Sequence, residues 1–376
     1  MFRVRQAVFA FGVVVTTTTS LSANVGLVSF QPLPGIGESF AWSRVFGVSA
    51  DGMTVVGQVS DSNGLRGVAW RNGVANVLPV LSTTGQQPIN GNGVSADGRV
   101  IAGSYQPFSS VVDGCMTFES NGSLLTSPTS PLGNANDISQ DGSTIVGAGT
   151  RQQRLTAGRF RSGVVQWLTE PTSPITTSTA QACSPDGNTV VGWARVGTGQ
   201  SVPFVWTEST GMSLIGSPPL PGVLSAQPTC VSTSGVMFGY SFHSGSAVQA
   251  WMWQAGQYTA LSNGISGMQS NVFACSDDGS VAAGYIITSR TREASIWNEG
   301  QPTLLVDLLW DHAGIDISGW TQMYTYGVSG DGRVIAGFGT NPMGQVQGWV
   351  ATIPSPTCSL AIVAIALSRR SRRRST

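Results

Sequence analysis

The amino-acid sequence predicts an all-β protein, a closed seven-bladed β-propeller of four-stranded blades, with a parallel β-solenoid as the alternative. Two observations carry this prediction. A turn motif returns with a period of about 46 residues along most of the chain, and the first and last copies of the repeat are incomplete in complementary ways. Four-stranded propeller blades repeat every 40–50 residues or so, which suits this period.

The repeated motif is Ser-x-Asp-Gly, followed by a short Val-rich run that ends in glycine. Asp-Gly between two apolar runs favours a hairpin turn, because glycine accepts φ > 0 and the Asp side chain can bond nearby backbone N–H groups. We expect the Ser hydroxyl to satisfy turn backbone as well. The fifth copy has Ser234 in place of the Asp. The predicted structural turn residues are Ser49, Asp51, Gly52, Ser95, Asp97, Gly98, Ser139, Asp141, Gly142, Ser184, Asp186, Gly187, Ser276, Asp278, Gly279, Ser329, Asp331 and Gly332.

Each copy contains short apolar runs bounded by turn-forming residues, which is the pattern of β-strands. The first run leads into the Ser-x-Asp-Gly turn and the second is the Val-rich run. The third ends in an aromatic residue such as Trp70 or Trp297, and the fourth follows a Gly turn. One copy is longer than the others, and we expect its insertion at 303–320 to contain one or two helical turns.

The two ends of the repeat region support closure into a ring. The last copy stops after its third strand, at Ile353, and an isolated strand-like segment from Val25 to Leu33 precedes the first copy. Pairing the two would complete one blade and remove the exposed edges of an open array. An open solenoid has no use for such complementary ends.

The chain divides into three parts. Residues 1–23 predict a signal peptide, because two Arg precede an apolar run too short to span a bilayer and small residues follow it. Residues 24–353 form the predicted propeller. Residues 354–376 combine a Pro-x-Pro motif, a short apolar segment and an Arg cluster, which predicts a sorting tail with transient membrane contact.

The repeats resemble the HAF-repeat family of exported bacterial proteins over about residues 25–353. The long copy is similar to a variant of that repeat through Asp307-Leu308-Leu309 and Ser318-Gly319-Trp320. The C-terminal part is similar to the PEP-CTERM type of sorting signal, with Ser355 where that signal usually has Glu. The resemblance implies export across a Gram-negative-type bacterial cell envelope, removal of the tail and a destination at the cell surface or outside the cell. It implies no catalytic residues.

Composition argues against a nucleic-acid partner. The chain has no Lys, seven of its 19 Arg lie in the two tails, and all 19 acidic residues lie in the body, which is therefore acidic. Binding a phosphate backbone needs a basic surface. The five Cys show no metal-binding spacing. We expect Cys183, Cys230 and Cys275 to act as small buried hydrophobes, too far apart for disulfides.

One dense polar cluster stands out in the long copy: Asp307, Asp311, His312 and Asp316. Asp307 and Asp311 would share a face of a helix. A metal or acid–base site is one interpretation, and a solvated loop or helix cap is the one we favour. The sequence therefore predicts no catalytic, cofactor-binding or metal-binding residue.

Several tryptophans end third strands and are expected to pack between blades, whereas Trp42, Trp193, Trp310 and Trp320 fall outside that register. An exposed subset of these would suit stacking on sugar rings. The functional hypothesis is a monomeric, exported, non-enzymatic propeller that binds an extracellular polysaccharide or an envelope protein through blade-end loops. The alternative is an extracellular glycan hydrolase or lyase that uses carboxylates in the 303–320 insertion.

Overall fold

A computed structural model of the protein describes residues 27–37, 41–79, 88–105, 114–119, 132–169, 173–245, 247–261, 269–288 and 291–354. The predicted signal peptide and all but the first residue of the predicted sorting tail lie outside these ranges. Within them, no helix has the length and apolarity that crossing a bilayer requires.

The strands form seven antiparallel sheets arranged in chain order. The first strand, β1 (Ser29–Pro32), belongs to the last sheet. Sheet 1 contains β2 (Trp42–Val48), β3 (Thr54–Asp61), β4 (Gly64–Arg71) and β5 (Val74–Val77). Sheet 2 contains β6 (Pro88–Val94), β7 (Val100–Tyr105) and β8 (Gly114–Glu119). Sheet 3 contains β9 (Asn134–Ile138), β10 (Thr144–Arg151), β11 (Arg154–Arg161) and β12 (Val164–Trp167).

The remaining sheets follow the same plan. Sheet 4 contains β13 (Ile175–Cys183), β14 (Thr189–Val196), β15 (Ser201–Thr207) and β16 (Gly211–Leu214). Sheet 5 contains β17 (Val223–Val231), β18 (Met237–His243), β19 (Val248–Gln254) and β20 (Gln257–Ala260). Sheet 6 contains β21 (Ser270–Cys275), β22 (Val281–Ile287), β23 (Arg292–Asn298) and β24 (Gln301–Leu304). Helix α1 (Leu305–Ala313) then leads to sheet 7, which contains β25 (Thr321–Val328), β26 (Val334–Thr340) and β27 (Val346–Thr352).

The protein is an all-β propeller with four-stranded blades, and the described residues show six such blades rather than the predicted seven. Sheet 2 has three strands among the described residues, and the chain that follows Glu119 lies outside them. The strands pair in antiparallel hairpins, so the parallel solenoid alternative is wrong.

Strand β1 completes sheet 7, as the ends of the repeat predicted. Ser29 pairs with Thr352 and Pro32 with Trp349, so the chain begins and ends in one sheet. The strand is shorter than the segment that the sequence suggested.

Among the described residues, the apolar core consists of seven clusters, and each lies between two neighbouring sheets. The cluster of Leu33, Val45, Val55 and Ala336 joins sheet 7 to sheet 1 and so closes the ring. The largest cluster, between sheets 6 and 7, takes in Leu305 and Leu309 of α1 as well. Because each sheet is buried on both faces, its second strand is a continuous apolar run rather than an alternating one.

The Ser-x-Asp-Gly turns share one hydrogen-bonding scheme, seen clearly at Ser49. Its buried hydroxyl donates to Oδ1 of Asp51 at 2.5 Å and accepts the N–H of Thr54 at 2.9 Å. Asp51 Oδ1 also accepts the N–H of Met53, and Gly52 has φ +74°. The prediction that the hydroxyl satisfies backbone groups is therefore confirmed.

Backbone hydrogen bonds also run from turn to turn around the molecule. They join the x residues of the motif, or their neighbours: Gly330 N to Ala50 O, Asp51 N to Ala96 O, Ala96 N to Gln140 O, Gln140 N to Pro185 O, Thr233 N to Asp277 O, and Asp277 N to Gly330 O. We call the seven x residues the turn ring: Ala50, Ala96, Gln140, Pro185, Thr233, Asp277 and Gly330. Proline has no backbone N–H, so Pro185 cannot donate a hydrogen bond to the carbonyl of Thr233. The backbone hydrogen bond of the turn ring is therefore absent between sheets 4 and 5.

Candidate functional site in the central channel

The first strands of all seven sheets surround a central cavity of about 580 Å³. Each of these strands carries a β-bulge close to its Ser-x-Asp-Gly turn, and this bulge leaves one residue without a partner on the second strand. We call these seven the bulged residues, and all of them line the cavity: Phe46, Asn92, Asn136, Gln181, Thr229, Phe273 and Tyr326. Bulges re-aim side chains in this way and are common next to functional sites.

One side of the cavity is aromatic. We call Phe46, Tyr240, Phe273 and Tyr326 the aromatic wall. Phe273 and Tyr326 stack with ring centroids 4.1 Å apart and an angle of 12° between their planes. Tyr326 also stacks on Phe338 behind it, at 5.5 Å. A rigid array of stacked rings therefore faces the cavity.

The opposite side carries side-chain amides. We call Asn90, Asn92, Asn134, Asn136 and Gln181 the amide wall. Nδ2 of Asn92 donates to the carbonyl of Ala135 at 2.5 Å, and Nδ2 of Asn136 donates to Ala180 O at 2.7 Å. The side chains of Asn92 and Asn136 thus each reach across to the next sheet, which fixes their orientation in the channel.

Two carboxyl groups line the same cavity. Asp137 is half-buried; Oδ1 accepts the N–H of Ile138 at 2.8 Å and Oδ2 accepts the N–H of Cys183 at 3.0 Å. Burial raises the pKa of Asp137 to about 6, against the lowering effect of these bonds. Burial also raises the pKa of Asp277, which is likewise half-buried.

The channel is crossed at the turn ring. Nε2 of Gln140 donates to Oδ2 of Asp277, and these residues belong to sheets 3 and 6, on opposite sides of the ring. This hydrogen bond narrows the channel at the turn ring, and we call the opposite end, where the first strands begin, the open end. Arg44 lies there, 4.9 Å above the ring of Trp42, and Arg292 lies 5.6 Å above that of Tyr324.

The residues of the predicted polar cluster lie at the surface and are not part of the cavity lining. Asp307, Asp311 and His312 lie exposed on α1, and Asp316 lies exposed in the loop that follows. His312 Nδ1 bonds to the carbonyl of Leu308, one turn back, and Asp316 accepts the N–H of Ser318 at 2.8 Å, which lowers the pKa of Asp316. In the part of the chain that the structure describes, no three His, Cys, Asp or Glu side chains come together to hold a metal ion.

The cysteines were only partly placed correctly by sequence. Cys183 is buried, as expected of a small hydrophobe. Cys230 and Cys275 are half-buried: both pack against the apolar cluster between sheets 5 and 6, and both line the cavity.

Of the tryptophans, Trp70 and Trp297 are buried in the core as predicted, and Trp310 on α1 is 60% exposed. Trp320 lies edge-on to Phe30 of β1.

Sequence reasoning missed the cavity residues, although a signal was present. Every bulged residue lies three positions before the Ser of its turn. Aligning the copies on that Ser shows Phe46, Phe273 and Tyr326 at a position that holds amides in other copies. The next position holds Asp137 where Gly47 and Gly93 stand in other copies, and a carboxyl group at a position that is elsewhere glycine could have pointed to the channel.

No protein-family model matches this chain, and no curated protein sequence does either. Solved structures that resemble it are propellers of low sequence identity. The β-propeller domain of the Trilobed protease from Pyrococcus furiosus is 10% identical with a TM-score of 0.55, covering 83% of this chain and 94% of that chain. Oligogalacturonate lyase from Vibrio parahaemolyticus is 10% identical with a TM-score of 0.52, covering 87% and 97%.

TolB from Acinetobacter baumannii is 16% identical with a TM-score of 0.42, and this chain covers 65% of its length. The Pyrococcus domain is described as having an open velcro topology, whereas β1 closes the last sheet in this chain. At such identities the likeness extends to the fold alone: this chain has the fold of a β-propeller.

Proposed function

We propose that this protein is an exported, non-enzymatic β-propeller that binds a polysaccharide of the cell surface or extracellular matrix in the open end of its central channel. The observation that carries the proposal is the aromatic wall facing the amide wall across one cavity. Sugar rings have apolar C–H faces and a rim of hydroxyls. A ligand site with aromatic surface and a few fixed polar groups suits both.

The stacked geometry favours a ligand with flat apolar faces over an extended peptide. Phe273, Tyr326 and Phe338 are held against one another, so little side-chain entropy is lost when a ring packs on them. Arg44 at the open end adds hydrogen-bond donors for hydroxyl or carboxyl groups of the ligand.

Binding to a panel of bacterial and matrix polysaccharides tests the proposal, followed by titration calorimetry on any ligand found. We expect Tyr326→Ala to weaken binding about tenfold, equivalent to about 1.4 kcal/mol, and Tyr326→Phe to bind almost normally because the stacking ring is kept. Trp310→Ala, on the exposed face of α1, is the matched control and should bind as the parent does.

The opposite pattern would redirect the proposal. If Trp310→Ala weakens binding and Tyr326→Ala does not, the blade-end surface around α1 is the site. If no polysaccharide binds while an envelope protein is retained, the partner is a protein.

Export is part of the same proposal, and the patterns at residues 1–23 and 354–376 support it. Intact mass of the protein purified from its native cells tests it. A mature chain that begins near residue 24 and ends between about 354 and 368 is the expected result. A full-length chain would contradict both processing steps.

A second candidate, a glycan hydrolase or lyase, is favoured by one observation: Asp137 and Asp277 line one cavity and both have a raised pKa. The carboxylates of the 303–320 insertion do not support it, since they are exposed on a helix and a loop. Incubating the protein with each bound polysaccharide and assaying new reducing ends or unsaturated products separates the candidates. We expect no turnover; turnover that Asp137→Asn or Asp277→Asn abolishes would establish the enzyme.

We also propose that sheet 2 is the seventh blade of the ring. The apolar cluster of Val56, Leu78, Val94 and Ile101 joins it to sheet 1, and Ala96 takes its place in the turn ring. A crystal structure is expected to show a ring of seven four-stranded blades. A ring in which sheet 2 has only three strands would contradict this.

A further inference from the structure

Cys230 and Cys275 stand on neighbouring first strands, β17 and β21, and both line the channel. Both are free thiols and half-buried, so a small reagent in the cavity can reach them. Their places in the repeat differ by one: Cys230 lies two residues before the Ser of its turn, and Cys275 lies one residue before. This difference of one position determines how the two cysteine side chains are placed relative to each other.

At other sheet boundaries, the residue two before the turn Ser faces the residue one before it in the next sheet. A Cβ placed on Gly327 would lie 2.6 Å from Cγ2 of Val48, and one placed on Gly93 would lie 3.2 Å from Cγ2 of Ile138. At a third boundary, Asp137 Oδ2 accepts the N–H of Cys183 at 3.0 Å.

By the same relation, the side chain of Cys275 is expected to lie against that of Cys230, at a spacing that suits a disulfide between neighbouring strands. Both cysteines pack against the apolar cluster between sheets 5 and 6. Burial raises the pKa of Cys275, and the neighbouring thiol of Cys230 raises it further.

The two strands are also pinned on either side of the thiols. Thr229 Oγ1 donates to the carbonyl of Val272 at 2.8 Å, and Thr233 N donates to Asp277 O at 2.8 Å. Joining the sulfurs therefore requires side-chain rotation rather than movement of the sheets.

We propose that Cys230 and Cys275 form a reversible disulfide that links sheets 5 and 6 inside the channel. One thiolate attacks a low-molecular-weight disulfide, forms a mixed disulfide and releases one small thiol. The second cysteine then attacks the protein-bound sulfur, forms the S–S bond between the strands and releases the other small thiol. Two protein thiols are oxidised and one small disulfide is reduced, and the two protons are lost to solvent or to the departing thiolates.

This replaces the expectation that cysteines of adjacent repeats are too far apart to bond. That expectation assumed identical positions in the repeat, whereas the one-residue offset brings these two side chains face to face.

The test is oxidation of the reduced, folded full chain with oxidised glutathione, followed by alkylation and peptide mass spectrometry. No Arg or Lys lies between Arg195 and Arg290, so trypsin leaves both cysteines in one peptide, and chymotrypsin is needed to separate them. We expect a Cys230–Cys275 linked pair, reversed by dithiothreitol. The reaction should speed up as pH rises, because the raised pKa of Cys275 keeps its thiolate scarce near neutrality.

Cys183→Ser is the matched control, since Cys183 faces Asp137 rather than a thiol, and it should give the same linked pair. Cys230→Ser should abolish the link while its circular dichroism and melting temperature match those of the reduced parent. The proposal is overturned if both cysteines of the folded parent stay fully alkylatable. It is equally overturned if the links found join other cysteines, or appear only in denaturant.

Discussion

Each repeat has a glycine inside its second strand, and the bulge in the first strand explains why. In all seven copies a Cβ at this glycine would overlap the carbonyl oxygen of the residue two positions before the bulged one. These glycines are Gly57, Gly103, Gly147, Gly192, Gly239, Gly284 and Gly337. The bulge that aims side chains into the channel therefore depends on a residue without a side chain on the next strand.

Gly284→Ala is expected to lower the free energy of unfolding by at least about 3 kcal/mol, because the added methyl meets the backbone of Asn271, which cannot rotate away. Urea denaturation measures the effect. Gly73→Ala is the control: Gly73 has φ +75° but open space around it, so it should cost only about 1–2 kcal/mol. Equal losses at the two positions would mean that the bulge does not impose the glycine.

Asp137 gives the protein a pH dependence of known sign. Its pKa in the folded state is raised to about 6 from a reference value of 3.8, so the carboxyl group favours the folded state below about pH 4. This contribution is lost as the pH rises through about 6, and amounts to about 3 kcal/mol.

Asp137→Asn should therefore have a free energy of unfolding that, relative to the parent, rises by about 3 kcal/mol between pH 4 and pH 7. Chemical denaturation at a series of pH values measures the difference. The variant also loses a hydrogen bond to a backbone N–H. That loss lowers its free energy of unfolding by the same amount at every pH, so the pH dependence of the difference is unaffected. Parallel pH profiles would show that Asp137 is ionised in the fold from low pH onward.

At the scale of the element, strand β1 is held by aromatic contacts as well as by its ladder. The ring of Phe30 stacks on Trp349 at 5.7 Å and meets Trp320 edge-on at 5.3 Å. Phe30→Ala is expected to lower the free energy of unfolding by about 2–3 kcal/mol, less than a fully buried Phe because this ring is half-exposed. Leu27→Ala, at a side chain 68% exposed, is the control and should be nearly neutral. A thermal melt of each variant is sufficient, and equal stability of the two would contradict the packing role.

The strands and turns could be predicted from sequence because their signals are local. An Asp-Gly pair between two apolar runs, such as Asp51-Gly52, specifies a hairpin turn. The helix that ends before Gly314 was expected because that copy of the repeat is longer than the others. The bulges could not be predicted in the same way. A bulge is a property of the register between two strands, so Phe46 becomes a cavity residue only once Val45 and Gly47 have paired with β3.

The site is harder to predict than the fold because it exists only in the whole ring. Phe46, Phe273 and Tyr326 lie far apart in sequence and meet at the axis. The sequence analysis singled out the polar cluster around Asp307 because its residues are close together along the chain. A sequence alone does not show which distant residues meet in the fold. In the fold, that cluster points to solvent.

At the scale of the whole molecule, we expect the propeller to fold without β1, but with lower stability. A chain that begins after Pro34 leaves the edge of β27 unpaired, and we expect it to melt at lower temperature and to self-associate. A synthetic peptide of residues 27–34 added in trans should raise the melting temperature again. The same peptide with Phe30→Ala is the control and should rescue less. Unchanged stability without β1 would show that the strand is dispensable.

The pairing of the first strand with the last also sets the order of events when the protein folds. The Gln347 side chain bonds to the carbonyl of Leu33, 314 residues earlier in the chain. Contacts between such distant residues form slowly, since a long loop must close before they contribute. When the chain emerges gradually, N-terminus first, β1 has no strand to pair with until β27 has emerged. In the export that we propose for this protein, the ring could not close before the whole chain had crossed the membrane.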